Sequence, residues 1–181
     1  QLSHLENKSN KVNQYNDFLH KKLLNLPFNL NNIIKEFFDL NQESRVAIVG
    51  GYPRDLLIQE IHNEKKIHPI DLDFVIEGSA LSLAKYIKQN IKNVELCLIK
   101  EFDIYNTVEM NINNTKVDIA SAREEIYTSP GSNPQVKKST IENDLKRRDL
   151  SINSIAFDFS KNAIIDLYGG INHIKKKELH L

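Results

Sequence analysis

Val46-Ala47-Ile48-Val49 runs straight into Gly50-Gly51, and Pro53 follows two residues later. A short apolar, β-branched run of this kind reads as a buried strand, and the glycine pair reads as a tight turn at its end. Pro53 suits the first position of a helix, where its missing N–H costs nothing, and Leu56, Leu57 and Ile61 continue that helix. A strand, a glycine turn and a helix in immediate succession require a layered fold in which helices cover a sheet.

The flanking patterns agree. Upstream, Leu19, Leu23, Leu24 and Leu26 predict a short helix preceded by a loosely ordered, Asn-rich arm. Ile33, Ile34, Phe37, Phe38 and Leu40 predict a second, amphipathic helix. Downstream, Ile70, Leu72, Phe74 and Ile76 alternate with Asp71, Asp73 and Val75, the pattern of a half-exposed strand. Leu81 to Ile91 reads as a helix. Val94 to Ile99, Thr107 to Ile112 and Lys116 to Ala120 read as strands, the last two joined by an Asn113-Asn114 turn. Glu124 to Lys138 reads as a long polar loop. A helix over Thr140 to Lys146, a helical or mixed stretch from Ile152 to Phe157, a strand from Ile164 to Leu167 and a Gly169-Gly170 turn complete the order. The sum is an α+β domain with a mixed sheet flanked by helices: an N-terminal helical extension over 1–44 and the main domain over 45–181.

At 181 residues and 40% hydrophobic content, one well-buried domain with a small appendage is the expectation. Lys plus Arg equals Asp plus Glu at 24 each, so no overall positive field announces nucleic acid. From Val136 onward nine Lys or Arg stand against six Asp or Glu. That surplus fits a solvated surface as well as an RNA-facing patch. The single cysteine, Cys97, excludes an internal disulfide framework and reads as a buried strand residue. No apolar stretch approaches a membrane span and no signal-peptide pattern opens the chain, so a cytoplasmic protein without membrane contact is expected. A start at Gln1 rather than Met leaves room for a longer protein.

Several residues carry chemistry. Asp71 and Asp73 flank Leu72, so both carboxylates leave the same strand face, with about 6 to 7 Å between their α-carbons. Such a pair can share divalent cations, and oxygen ligands suit Mg²⁺ with substrate phosphates. A bare Asp-x-Asp is weak, and two solvated acids would look the same. Its context is the Gly50-Gly51 turn, where backbone can approach a phosphate at a helix N-terminus, and Arg54 adds a planar cation beside Asp55. Asp118, between Val117 and Ile119, needs a partner: a metal ion or an arginine such as Arg123. Arg147 and Arg148 diverge by about 100° on a helix end, so one can face a phosphate while the other pairs with an acid. Asp149 adjoins them, and Asn153 could bond a ribose hydroxyl or hold its loop.

In this order the motifs resemble the head domain of the class II, bacterial-type tRNA nucleotidyltransferase and poly(A) polymerase family, within the DNA polymerase beta-like superfamily. Gly50-Gly51 with Arg54-Asp55 matches GGxxRD, and Asp71-Leu72-Asp73 matches the metal-binding DxD. Val117 to Ala120 with Ala122-Arg123, Glu125 and Tyr127 is similar to a VDIA segment. Pro130-Gly131 and Pro134 fall in the family's flexible loop. Asp144-Leu145, Arg147-Arg148-Asp149 and Ile152-Asn153 match DLxRRDxxIN, and Asp166-Leu167 with Gly169-Gly170 matches the closing strand and turn. The match spans Val46 to Leu181. It departs in the nineteen residues between Gly51 and Asp71, with an insertion expected over Ile61 to Pro69. It departs also at Ile58-Gln59 and Tyr105-Asn106-Thr107.

The resemblance implies template-independent addition of CMP or AMP from CTP or ATP to the 3′ end of a tRNA or similar RNA, catalysed by two Mg²⁺ ions. Asp71 and Asp73 would hold the metal, and Asp118 would help hold one ion or orient the attacking hydroxyl. Gly50, Gly51, Arg54, Asp55, Arg123, Arg147, Arg148, Asp149 and Asn153 would bind nucleotide, with Asp149 and Asn153 positioning ribose or bracing Arg148. In that family the choice of base belongs to a neck domain that follows the head, and the neck, body and tail are absent here. A poly(A) polymerase, or a head that binds nucleotide without turnover, stands as the alternative.

Overall fold

In the computed structural model, residues 14–64, 71–98, 107–133 and 135–177 are described, and seven strands form one sheet. The strands, in chain order, are β1 (Val46–Val49), β2 (Leu72–Ile76), β3 (Val94–Leu98), β4 (Thr107–Ile112), β5 (Thr115–Ser121), β8 (Ile155–Asp158) and β9 (Ala163–Asp166). Their spatial order is β3-β4-β5-β2-β1-β8-β9. Only the β2–β5 pair among them is parallel; the rest are antiparallel. A separate two-stranded sheet pairs β6 (Arg123–Ile126) with β7 (Gln135–Lys138).

Register assigns every strand residue to one of two faces. One face presents Val46, Ile48, Leu72, Phe74, Ile76, Val117, Ile119, Ile155 and Phe157 to the main core. Helices cover it: α1 (residues 14–23), α2 (Leu30–Leu40), α3 (Gly51–His62) and α4 (Ala80–Asn90). Leu19 and Leu23 of α1 and Leu30, Ile33, Ile34 and Phe37 of α2 are buried in that core with the sheet. Asn16 accepts a hydrogen bond from the Ile164 N–H on β9 (2.8 Å), and His20 stacks on Phe157. The N-terminal helices therefore share their core with the sheet. Leu24 and Leu40, expected on the apolar stripes, are exposed, Leu40 at the last residue of its helix.

The opposite face is smaller and divided. Ala47, Val49, Val75 and Ala156 pack with Ala122 and with Ile141 and Leu145 of the one-turn helix α5 (Ile141–Leu145). Beyond them the same face carries Asp73 and Asp118. This corrects the half-exposed reading of β2: Leu72, Phe74, Val75 and Ile76 are all buried, because β2 is a central strand covered on both sides. A second correction concerns 124–138. It is not a loop throughout but the β6–β7 hairpin, with Glu124 opposite Lys137 and a turn closed by Ser129 and Ser132. Most of its paired residues are charged, so it has no apolar alternation to announce it.

Elsewhere the expected elements form, with local adjustments. Helix α3 starts at Gly51, which places Pro53 in its first turn rather than first. The Asn113-Asn114 turn holds both residues at positive φ, 47° and 66°, the geometry a tight two-residue hairpin needs. The mixed stretch near Ile152 is a 3₁₀ turn (Ser151–Ser154) feeding β8, and α6 (Gly170–Lys176) follows Gly169. Among the described residues no helix is long and apolar enough to cross a membrane. The N-terminal arm, Ile70, residues 65–69 of the expected insertion, Ile99, Tyr105-Asn106, Pro134 and the side chains of Cys97 and Glu125 lie outside the described residues.

Candidate active site

Parallel pairing of β2 with β5 sets Asp73 directly beside Asp118, and antiparallel pairing of β5 with β4 sets Glu109 beside Asp118 in turn. Residues in register on neighbouring strands project to the same side, about 4.8 Å apart. Asp71, exposed just ahead of β2, joins the row from two residues away. The row is therefore carboxylate, carboxylate, carboxylate across three strands, with Asp71 at its end.

Burial pushes the Asp73 carboxyl above the usual carboxylate range; Arg148 opposes this, the charge of Asp71 adds to it, and Lys116 opposes it. Asp118 is also raised, first by burial and then, against the pull of Lys116, by Asp73 and Glu109. Crowded acids in partial burial hold an excess of negative charge that a cation relieves. The ion pair that Asp118 makes is with Lys116 of its own strand, at 3.5 Å; the sequence had left a metal ion or an arginine such as Arg123 as its partner. Its Oδ1 is buried without a hydrogen-bond partner.

Facing this row is the glycine turn. Gly50 adopts φ 75° and ψ −135°, a conformation that disfavours any side chain. A Cβ there would stand 3.6 Å from Asp73 Oδ2 and 3.7 Å from an Arg148 guanidinium nitrogen, so turn, carboxylate and arginine converge on one point. Gly51 opens α3, whose first N–H groups have no helical partner. Arg54 folds back over that end: its Nε donates to Asp55 (2.9 Å) and one terminal nitrogen donates to Asn153 (2.6 Å). Asn153 thus braces Arg54; of the two roles the resemblance implied for it, positioning ribose or bracing Arg148, the bracing falls on a different arginine.

Arg148 and Arg147 are held by one acid. Asp144, 8% exposed, sits 2.6 Å from Arg147 and 3.8 Å from Arg148. Both arginines pair with an acid, so the expected division of labour between them does not hold at Asp144. The two differ in setting: Arg148 also reaches Gly50 and has its Nε buried without a partner. An open groove of about 280 Å³ is lined by Thr107, Ala120, Ser121, Arg123, Asp144, Arg147 and Arg148. Asp149 is exposed beside it. Sequence reasoning passed over Lys116, Glu109 and the anchoring role of Asp144. Lys116 stands two residues before Asp118 on a strand, the spacing that puts both on one face, so it was within reach of the same rule that picked out Asp71 and Asp73.

Among the described residues no group of three or more acids, histidines or cysteines is placed to hold a metal ion. Mg²⁺ asks for less: one or two carboxylates, with water and substrate phosphates completing an octahedron. Asp71 and Asp73 supply hard oxygens, and the unpartnered Oδ1 of Asp118 is an acceptor with nothing to accept from. The donor set fits a divalent ion of that kind.

The chain is 34% identical over 141 residues to the A-adding tRNA nucleotidyltransferase of Aquifex aeolicus, covering 76% of this chain and 16% of that protein. Other relatives are named CC-adding tRNA nucleotidyltransferase and CCA-adding enzyme. Among solved structures, a CCA-adding enzyme in an apo form superposes with a TM-score of 0.68 at 33% identity, over 89% of this chain and 37% of that one. The Thermotoga maritima CCA-adding enzyme complexed with tRNA gives 0.66 at 30% identity, over 89% and 35%. The chain thus spans well under half the length of these proteins. With residues 46–180 matched by the poly A polymerase head domain, the chain belongs to that family.

Proposed function

We propose that this chain is the catalytic head of a template-independent RNA nucleotidyltransferase, adding CMP or AMP from CTP or ATP to the 3′ end of a tRNA in the cytoplasm. The observation that carries the reading is the lateral row of Asp73 and Asp118, with Asp71 beside it, set against the Gly50 turn and Arg148. Relatives that add A, CC or CCA to tRNA support the substrate class.

In this reading Asp71 and Asp73 hold two Mg²⁺ ions, and Asp118 either shares one or orients the attacking 3′-hydroxyl. Bound there, the ions supply charge neutralisation on the triphosphate and a more acidic 3′-hydroxyl. Gly50 and Gly51 let the backbone approach the phosphates. Arg54, fixed by Asp55 and Asn153, and Arg148, fixed by Asp144, bring planar cations to the phosphate oxygens without having to be ordered at the moment of binding. The groove between Arg123 and Arg147, with Asp149 at its side, takes the ribose and base.

The test is labelled nucleotide addition to a trimmed tRNA with Asp71→Ala and Asp73→Ala made singly. Loss of a metal ligand is expected to cost several kcal/mol of transition-state stabilisation, roughly a hundredfold or more in rate. Near-normal incorporation by both variants would sink the proposal. Calorimetry with CTP and ATP alongside separates a head that turns over from one that only binds.

A further inference from the structure

Two cations reach the carboxylate row, and they are held differently. Arg148 is drawn back by Asp144 and lies half-buried beside Gly50. Lys116 is tied to the row itself: its Nζ stands 3.5 Å from Asp118 Oδ2 and 4.0 Å from Glu109 Oε1, and it feels the charges of both Asp71 and Asp73. Strand geometry puts it there, since Lys116 precedes Asp118 by two residues on β5 and Glu109 is the cross-strand neighbour of Asp118 on β4. Asp118 and Glu109 therefore share one lysine, which is 51% exposed on a long flexible stem and can leave for solvent without disturbing the core. It covers one oxygen of Asp118 and leaves the other, Oδ1, buried and unpartnered.

We propose that Lys116 is the resting counter-charge of the site. It neutralises the carboxylate row when no divalent ion is bound, must swing into solvent when one binds, and so sets the affinity for that ion. The inference rests on the reading that Asp71 and Asp73 hold metal. A divalent ion and an ammonium cannot both occupy the few ångströms around Asp118, because like charges at that range repel strongly in a partly buried setting. Displacing the lysine sacrifices an exposed ion pair, which is a small cost. The effect on ion affinity is correspondingly modest, and it is screened by salt.

Mn²⁺ serves as the probe, with the free ion counted by electron paramagnetic resonance during titration in the absence of nucleotide. Lys116→Met is expected to lower the Mn²⁺ Kd about fivefold at low ionic strength, with the gap closing as salt is raised. Lys116→Arg, which can grip a carboxylate with two parallel N–H groups, is expected to bind Mn²⁺ no more tightly than the parent. Asp73→Asn reports on the site itself and is expected to lose the binding. If Lys116→Met leaves the Kd unchanged or raises it while Asp73→Asn abolishes binding, the role of Lys116 is overturned and the metal site stands. If Asp73→Asn binds Mn²⁺ as the parent does, the metal reading fails and the inference with it.

Discussion

Arg45, one residue ahead of β1, meets three carboxylates: Glu77 just past β2, Glu142 on α5 and Asp158 at the end of β8. Its Nε and one terminal nitrogen donate to Asp158 Oδ2 (3.2 and 2.8 Å); the terminal nitrogens also donate to Glu142 (2.9 and 3.3 Å) and to Glu77 (3.0 Å). Replacing it with Met keeps the apolar stem and removes every donor. The cost depends on what each acid loses. Asp158 has a 1% exposed side chain; its Oδ1 keeps the N–H and hydroxyl of Ser160, but Oδ2 is left charged, buried and unpaired. Removing one partner of a buried pair costs about 3–5 kcal/mol. Glu142, 34% exposed, returns to water and adds little. Arg45 itself is 21% exposed, so the low end applies, about 3 kcal/mol. For a chain of this size that corresponds to a fall in Tm of roughly 6–12 °C.

Circular dichroism melts of the parent, Arg45→Met, Asp158→Asn and the double variant measure it. The double variant is expected to recover about 1–2 kcal/mol, because an amide in place of Asp158 carries no charge to strand. A single variant melting within about 2 °C of the parent, or a double variant showing no recovery, would refute the reasoning. Acidity gives a second check. Burial works to raise the Asp158 carboxyl, but hydrogen bonds from Ser160 and Arg45 together hold it below the usual range; the Arg45 hydrogen bond does the same for Glu142 against a smaller effect of burial. Acids depressed in the folded state contribute stability above their unfolded pKa and lose it as pH falls through the folded one. The gap between parent and Arg45→Met is therefore expected to be full at neutral pH and to narrow below about pH 4.

Two further outcomes follow from the site. Asn153→Ala frees the Arg54 guanidinium from a 2.6 Å hydrogen bond, and is expected to raise KM for the nucleotide roughly tenfold with little change in melting temperature, read from steady-state addition kinetics. Asp73→Asn is expected to melt higher than the parent without metal at pH 7. Burial raises the Asp73 carboxyl in the fold, so the parent loses stability as pH rises through the window above the ordinary carboxylate pKa; the gain should vanish in acid.

How much of this was legible beforehand depends on the range of each interaction. The strand ending at Gly50-Gly51 and the shared face of Asp71 and Asp73 are local, fixed by a two-residue period and by turn chemistry. What β2 does as a whole was not. Asp73 and Val75 project from one face, yet the first joins an acid row and the second is buried under α5. One face changes character along its length, and alternation cannot show that. Asp118 could be singled out as an acid needing a partner, but its neighbours depend on a parallel pairing between strands far apart in sequence. Arg45, Glu77, Glu142 and Asp158 each look like ordinary surface charges until the fold collects them.

That collection bears on the site through α5. Five residues are too few for a helix to hold itself together, since a nucleus of one turn is unfavourable in isolation. Helix α5 exists because Thr140 caps it, Ile141 and Leu145 are buried, Glu77 accepts the N–H of Ile141 (2.9 Å), and Arg45 grips Glu142. Its other end delivers Asp144, and with it Arg147 and Arg148, to the groove and the glycine turn. The arginines are therefore placed by an ion cluster at the far end of the same short helix. Loosening that cluster should reach the nucleotide: in calorimetry, Arg45→Met is expected to weaken triphosphate binding even at temperatures where it remains folded, and a variant that melts early yet binds as tightly as the parent would show that Arg45 supports the fold alone.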